Sequence, residues 1–240
     1  LTALADAVVT AHRFCATPAP PPLFNAPLPR VAPRPGVGPV ASRDAIPFAM
    51  GDTGVALREE TIALSRGNIA IIGQRGRGKT TLLDLFAESI RVLPGIRLQR
   101  TRGSGQGTDA RPDTRMGPVP HRDGTDPPPG PGLVWLVDDA DPLLDPLCPD
   151  PLAATLREAM ADPAVTVIIA VETSRHLRVP EHCAARIVFP TGERTTDMMN
   201  GIPAPLLDRM PPADADIPGR AVLIERGRAT PVQCFLQIRG

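Results

Sequence analysis

Gly73-Gln74-Arg75-Gly76-Arg77-Gly78-Lys79-Thr80 is the stretch whose residue types and spacing could do chemistry. It satisfies the pattern G-x-x-x-x-G-K-[ST] at every constrained position. The glycines permit backbone angles that a Cβ would forbid, so consecutive N–H groups can turn inward onto the β- and γ-phosphates of a nucleotide. A helix starting at the end of the loop adds its partial positive charge. Lys79 would reach the terminal phosphates, and Thr80 would set its hydroxyl on Mg²⁺. Thr81 closes the set of loop residues expected to bind the cofactor. Gln74, Arg75 and Arg77 fill the free positions, with side chains that either touch phosphate or face solvent. Lys79 is the only lysine in the chain; every other long basic side chain is arginine.

A second candidate is Leu133-Val134-Trp135-Leu136-Val137-Asp138-Asp139, an apolar run ending in two acids. An apolar strand of this kind can carry a carboxylate to the side of a phosphate loop, the Walker B arrangement. There Asp138 would hold the metal, directly or through water. Asp139 would then polarise the attacking water. The alternative is an ordinary buried strand followed by an acidic turn. Asp139, Asp141, Asp145 and Asp150 form an acid cluster, but it lacks the central Gly and closing Glu of a calcium loop. A third candidate is Thr173, at the tip of the apolar run Val165 to Val171. If that strand lies between the loop strand and the Asp138 strand, Thr173 faces the γ-phosphate as a polar sensor; otherwise it merely caps the strand. Arg175, Arg178 and Arg186 lie nearby, and each could act in trans on a neighbour's γ-phosphate or stay a solvated arginine.

The elements that must position these groups are legible around them. Asn68 to Ile72 is a short β-branched run of the kind found in buried parallel strands. Thr81 to Ile90 reads as a helix, with Leu82, Leu85, Phe86 and Ile90 on one face, and Pro94-Gly95 stops it. Upstream, Ile46 to Met50, a turn at Gly51-Asp52-Thr53-Gly54 and Val55 to Leu64 read as a hairpin. Ile96 to Gln99 suggests a short strand. Residues 100–132 are rich in Gly, Pro, Asp, Thr and Arg, and read as a disordered insertion or long surface loop, with a substrate-gripping loop as the alternative. Asp150-Pro151 opens a helix carrying Leu152, Leu156 and Met160. Ile187 to Phe189 is a short strand, Thr195 to Asn200 a short helix closed by Gly201, and Ala221 to Ile238 a hairpin about Arg226-Gly227-Arg228.

At the start, Leu1 to Phe14 carries Leu1, Leu4, Val8 and Ala11 on one helical face, and Thr17 to Pro39 is a proline-dense, semi-rigid linker. The division expected is therefore 1–42 as helix and linker from a preceding module, and 43–240 as the phosphate-loop domain. Because the first residue is Leu1 and already lies in a helical pattern, the chain reads as a piece of a longer protein. With 240 residues and 42% hydrophobic content, a sizeable α/β core is available despite only 3% aromatics. The formal net charge is zero, which argues against a surface built to coat nucleic acid. Cys15, Cys148, Cys183 and Cys234 are far apart with no C-x-x-C pair, so buried or free thiols are favoured over a zinc site or disulfide framework. No run has the length of a membrane-spanning helix.

Several of these stretches together carry a resemblance. The hairpin from Ile46 to Leu64 running into Gly67-Asn68-Ile69-Ala70-Ile71-Ile72-Gly73, and the Asp138-Asp139 ending, resemble the FtsK/SpoIIIE family of P-loop motors. Ile217-Pro218-Gly219-Arg220-Ala221 before a last hairpin, with helix and proline linker ahead, is similar to the tandem ATPase domains of the EccC family of type VII (ESX) secretion motors. The likeness covers roughly residues 43–240. It implies an α/β, RecA-like P-loop NTPase with a mostly parallel central sheet flanked by helices. It implies ATP with Mg²⁺, further ATPase domains in the same parent chain, hexameric assembly with sites at subunit interfaces, and a secreted protein as substrate. It also implies a cytoplasmic domain whose parent is membrane-associated. One departure bears on rate. Many members of the family carry Asp-Glu where this chain has Asp138-Asp139, and a side chain one methylene shorter predicts slow turnover. Two other functions stay open: a DNA translocase of the same fold, and a non-catalytic module that holds ATP while docking partners.

Overall fold

Ile69-Ala70-Ile71-Ile72 is buried at every residue, and that fixes its place. A strand with no polar side must have both faces covered, so it belongs inside a parallel sheet with helices above and below. The computed structural model, which describes residues 27–34, 44–103, 131–177 and 183–236, places it there. The strands are β1 (Ala32–Pro33), β2 (Ala45–Asp52), β3 (Leu57–Ala63), β4 (Ile69–Ile72), β5 (Arg97–Arg102), β6 (Leu133–Asp138), β7 (Val165–Val171), β8 (Ala185–Val188), β9 (Arg220–Glu225) and β10 (Arg228–Leu236). They form one sheet in the order β3-β2-β10-β9-β8-β4-β7-β6-β5, with β1 added on β10. From β8 to β5 the strands run parallel. From β9 to β3 each pair is antiparallel. As expected, β7 lies between the loop strand β4 and the acid-tipped strand β6.

The helices are α1 (Lys79–Arg91), α2 (Asp141–Leu144), α3 (Pro151–Ala161), α4 (Arg194–Met199) and α5 (Ala204–Leu207). On one face, Leu82, Leu85, Phe86 and Ile90 of α1 pack with Ile69 and Ile71 and with Phe48 of β2. The Phe48 and Phe86 rings lie 6.0 Å apart and tilted. On the other face, Ala153 and Leu156 of α3 join Ala70, Ile72, Trp135 and Val137. The period-two alternation of β4 thus feeds two separate cores. Asp150 caps α3: its Oδ1 accepts from Leu152 N at 2.9 Å, with Pro151 at the first helical position. Removing that cap in Asp150→Ala is expected to cost about 1 kcal/mol, read as a lower urea midpoint with an unchanged slope.

Three expectations shift. The first hairpin turns at residues 53–56, where Thr53 N donates to Ala56 O at 3.2 Å. Gly51 lies inside β2, paired with Arg58 and Val232, because its missing Cβ leaves room for the Glu60 side chain. Next, β5 continues through Arg102, so residues 100–102 belong to the sheet and not to an insertion. As the outermost strand it keeps its arginines in water, which is why it carries no apolar run. Finally, the end of the proline-dense stretch is attached to the domain. Ala32 is buried and pairs with Phe235. Arg34 donates to Ser89 of α1 at 2.9 Å, and Arg220 donates to the carbonyls of Leu28 and Pro29. The helix read at Leu1 to Phe14, and most of the 100–132 stretch, lie outside the described residues.

Candidate functional site

The loop between β4 and α1 turns on glycine. Gly76 and Gly78 have φ of +79° and +99°, and Gly78 is the N-terminal flank of α1. That left-handed cap tips the free N–H groups of the first helical turn toward the loop's concavity. Lys79 is buried at 6% exposure, and its ammonium donates to Gly73 O at 2.6 Å and Gln74 O at 3.2 Å. Its charge is held by two carbonyls, with no carboxylate partner among the described residues. Such bonds exchange readily for phosphate oxygens, which offer a full counter-charge.

Thr80 is the second residue of α1, and its hydroxyl donates to Asp138 Oδ2 at 2.9 Å. This single bond joins the loop helix to the tip of β6, two strands away from β4 in the sheet. Asp138 is 2% exposed, and its other oxygen accepts from the amide of Asp139 at 3.1 Å. Asp139 is half-buried and takes φ +52°, a left-handed conformation that Asp and Asn tolerate better than other side chains. Two hard oxygen donors on adjoining elements, one hydroxyl and one carboxylate, fit Mg²⁺, which takes few protein ligands and fills its shell with phosphate and water. Among the described residues no cluster of three or more His, Cys, Asp or Glu stands ready to cage a metal alone.

The free positions of the loop have protein partners. Arg75 Nε donates to Glu172 Oε1 at 2.6 Å, tying the loop to the tip of β7. Arg77 donates to the carbonyl of Ala215, in the 3₁₀ turn Pro212–Asp216, tying it to the approach to β9. Gln74, Thr80 and Thr81 are exposed. Thr173 is also exposed, and its bonds run to Asp141 Oδ1 and to the amide of Arg175, each at 3.5 Å, and not to the loop. The residue at this tip that touches the loop is Glu172. Its amide is fixed by Asp141 Oδ2 at 2.8 Å, so Asp141 positions the tip. The sequence places Glu172 at the strand tip and Asp141 in the acid cluster, but it does not show that Glu172 holds Arg75 or that Asp141 holds the tip.

Of the candidate trans-acting arginines, Arg175 is exposed, whereas Arg186 is half-buried and donates to Asn200 O at 3.3 Å. Burial holds the Arg186 guanidinium below its usual range. Arg178 lies outside the described residues. Cys183 and Cys234 are buried free thiols, both pushed up to about 12 by burial, which leaves them inert.

No family model matches this chain, and no curated protein matches it in sequence. Solved structures do match its fold. EssC (ATPases 2 and 3) from Geobacillus thermodenitrificans aligns at a TM-score of 0.62 and 17% identity, over 90% of this chain and 48% of that one. EccC (ATPases 2 and 3) from Thermomonospora curvata, in complex with a signal sequence peptide, aligns at 0.61 and 21% identity, over 91% and 45%. The cytoplasmic domain of the Type VII Secretion ATPase EccC from the same organism aligns at 0.60 and 20% identity, over 92% and 29%. The chain therefore spans less than half the length of each of these three. It has the α/β fold of their P-loop ATPase domains.

Proposed function

We propose that this chain is an ATP-binding and ATP-hydrolysing module of FtsK/SpoIIIE type that serves a protein-export machine of the type VII class. The observation that carries the proposal is the Thr80–Asp138 bond at 2.9 Å beside the buried Lys79, set in the fold shared with EccC and EssC ATPase domains.

In this reading the loop amides and Lys79 bind the β- and γ-phosphates of ATP. Thr80 and Asp138 would hold Mg²⁺, which when bound neutralises charge on the phosphates. Asp139 orients and deprotonates the attacking water. Thr173, one residue past the Arg75–Glu172 contact, is the sensor candidate at the strand tip. Arg175, exposed beside it, is better placed than the half-buried Arg186 to reach a neighbour's nucleotide. That arrangement calls for a ring, a hexamer, with further ATPase domains in the parent chain, and for a secreted protein as cargo. The domain is taken as cytoplasmic in a membrane-associated parent. Among the described residues no helix is long and apolar enough to cross a membrane. Zero net charge disfavours DNA as the cargo.

Steady-state ATP hydrolysis by the purified chain, with and without long duplex DNA, tests this. Slow turnover indifferent to DNA supports the export module. Strong stimulation by DNA would replace it with a translocase. Tight ATP binding without turnover would leave a docking module that holds its nucleotide as structure.

A further inference from the structure

The two acids at the tip of β6 already have a cation between them. Arg102 ends β5, in register with Asp138. Its guanidinium lies 3.9 Å from Asp138 Oδ2 through one nitrogen and 3.9 Å from Asp139 Oδ2 through another. Among the described residues it is the only cation paired with either carboxylate, since Lys79 is engaged by loop carbonyls. The backbone beneath is clamped as well. Gly103 N donates to Asp138 O at 2.7 Å, and a Cβ on Gly103 would sit 2.3 Å from the carbonyl oxygen of Asp139. Only glycine lets β5 approach that closely, and the approach brings Arg102 over the acid pair.

We propose that Arg102 is the resting counter-cation of the Asp138–Asp139 pair, a positioning residue that stands in for Mg²⁺ and gives way to it. The inference rests on the nucleotide reading above and names a residue that the phosphate-loop pattern does not contain. Asp138 Oδ2 is the oxygen shared by Thr80 and Arg102. A metal held by Thr80 and Asp138 would compete with the guanidinium for that atom. Distances of 3.9 Å, without close hydrogen bonds, and a side chain 65% exposed mean that Arg102 can swing away at little cost. Without the metal, Arg102 shields incoming phosphates from two negative charges. With the metal, that shielding is redundant.

The test is the Mg²⁺ dependence of binding, not turnover. A fluorescent ATP analogue is titrated in EDTA and in saturating Mg²⁺ for the wild type, Arg102→Gln and Arg102→Lys. In Arg102→Gln, affinity in EDTA should fall while affinity in Mg²⁺ holds or rises. The ratio of the two should widen by roughly three- to tenfold, the size expected for one unit charge about 4 Å away in water-like surroundings. Arg102→Lys should restore most of the wild-type ratio, and the effect of Arg102→Gln should vanish when Asp138→Asn and Asp139→Asn are combined in the background. An unchanged ratio overturns the proposal, as does a narrower one, which would mean that Arg102 grips phosphate alongside the metal. A second arm uses Mn²⁺ alone, followed by electron paramagnetic resonance on nucleotide-free protein. There Arg102→Gln should bind Mn²⁺ several-fold tighter, and equal or weaker binding overturns the proposal. If the wild type binds no nucleotide under either condition, the nucleotide reading falls, and the Mn²⁺ arm still decides Arg102.

Discussion

Lys79→Ala is expected to weaken ATP binding by on the order of 100-fold or more, measured by fluorescence titration or calorimetry. The estimate follows from two charge-assisted bonds to phosphate at ~1.5–3 kcal/mol each. Lys79→Arg is expected to fail nearly as badly. The side chain is buried at 6% exposure and its terminal nitrogen already sits within 2.6 Å of Gly73 O, so the space suits a compact ammonium and not a planar fork. That is a physical reason for a lone lysine to survive in a chain that otherwise uses arginine. If either variant bound ATP with wild-type affinity, the phosphate-loop reading would be wrong.

The second large effect is on turnover. Asp139→Asn should lower the hydrolysis rate by roughly 10²- to 10⁴-fold, the range for loss of a general base, while ATP affinity is retained. Asparagine suits this test because Asp139 has φ +52°, a conformation Asn adopts as readily as Asp. The backbone therefore stays in place and only the charge is removed. The same dihedral bears on the departure from Asp-Glu noted in the sequence. A glutamate at this position would have to enter the left-handed region without the short side chain that tolerates it, so Asp139→Glu is expected to strain the turn instead of accelerating the enzyme. Equal kcat in the wild type and Asp139→Asn would remove the base assignment and favour a module that only holds its nucleotide.

Legibility in the sequence tracked how local each determinant was. The phosphate loop and both flanks depend on neighbours within a few residues, so their pattern survives as a string. The placement of β7 between β4 and β6 was read from the arrangement of phosphate-loop domains with an added strand, once the loop had been found, and the sheet has that order. The continuation of β5 to Arg102 was not read. An outer strand has one solvated edge and can be built from Arg-Leu-Gln-Arg-Thr-Arg, which looks like a loop when only apolar periodicity is counted. The attachment of Ala32 to β10 was hidden for the opposite reason. Proline density signals an extended chain, and an extended chain is equally fit to be a linker or a strand, the choice being made by Phe235 some two hundred residues later. Glu172, Asp141 and Arg102 carry no motif. They matter because the sheet brings them to β4 and β6, information that lies in the strand order.

The strand order also sets a timetable for synthesis. β4 pairs with β7 through Ile72 and Val171, and with β8 through Ile72 and Val188, so its second neighbour lies about 116 residues downstream. At ~5–20 residues per second, a ribosome needs on the order of ten seconds to supply it. Until β7 is made, about 99 residues after Ile72, this apolar strand has a completed phosphate loop after it and no partner on either side. The nucleotide site thus cannot assist the earliest steps of its own folding, because Asp138 reaches Thr80 only across β7, which must first pair with both β4 and β6. A nascent chain halted before Val165 should be a strong chaperone client that ATP cannot rescue, whereas one released after Leu236 should respond to ATP.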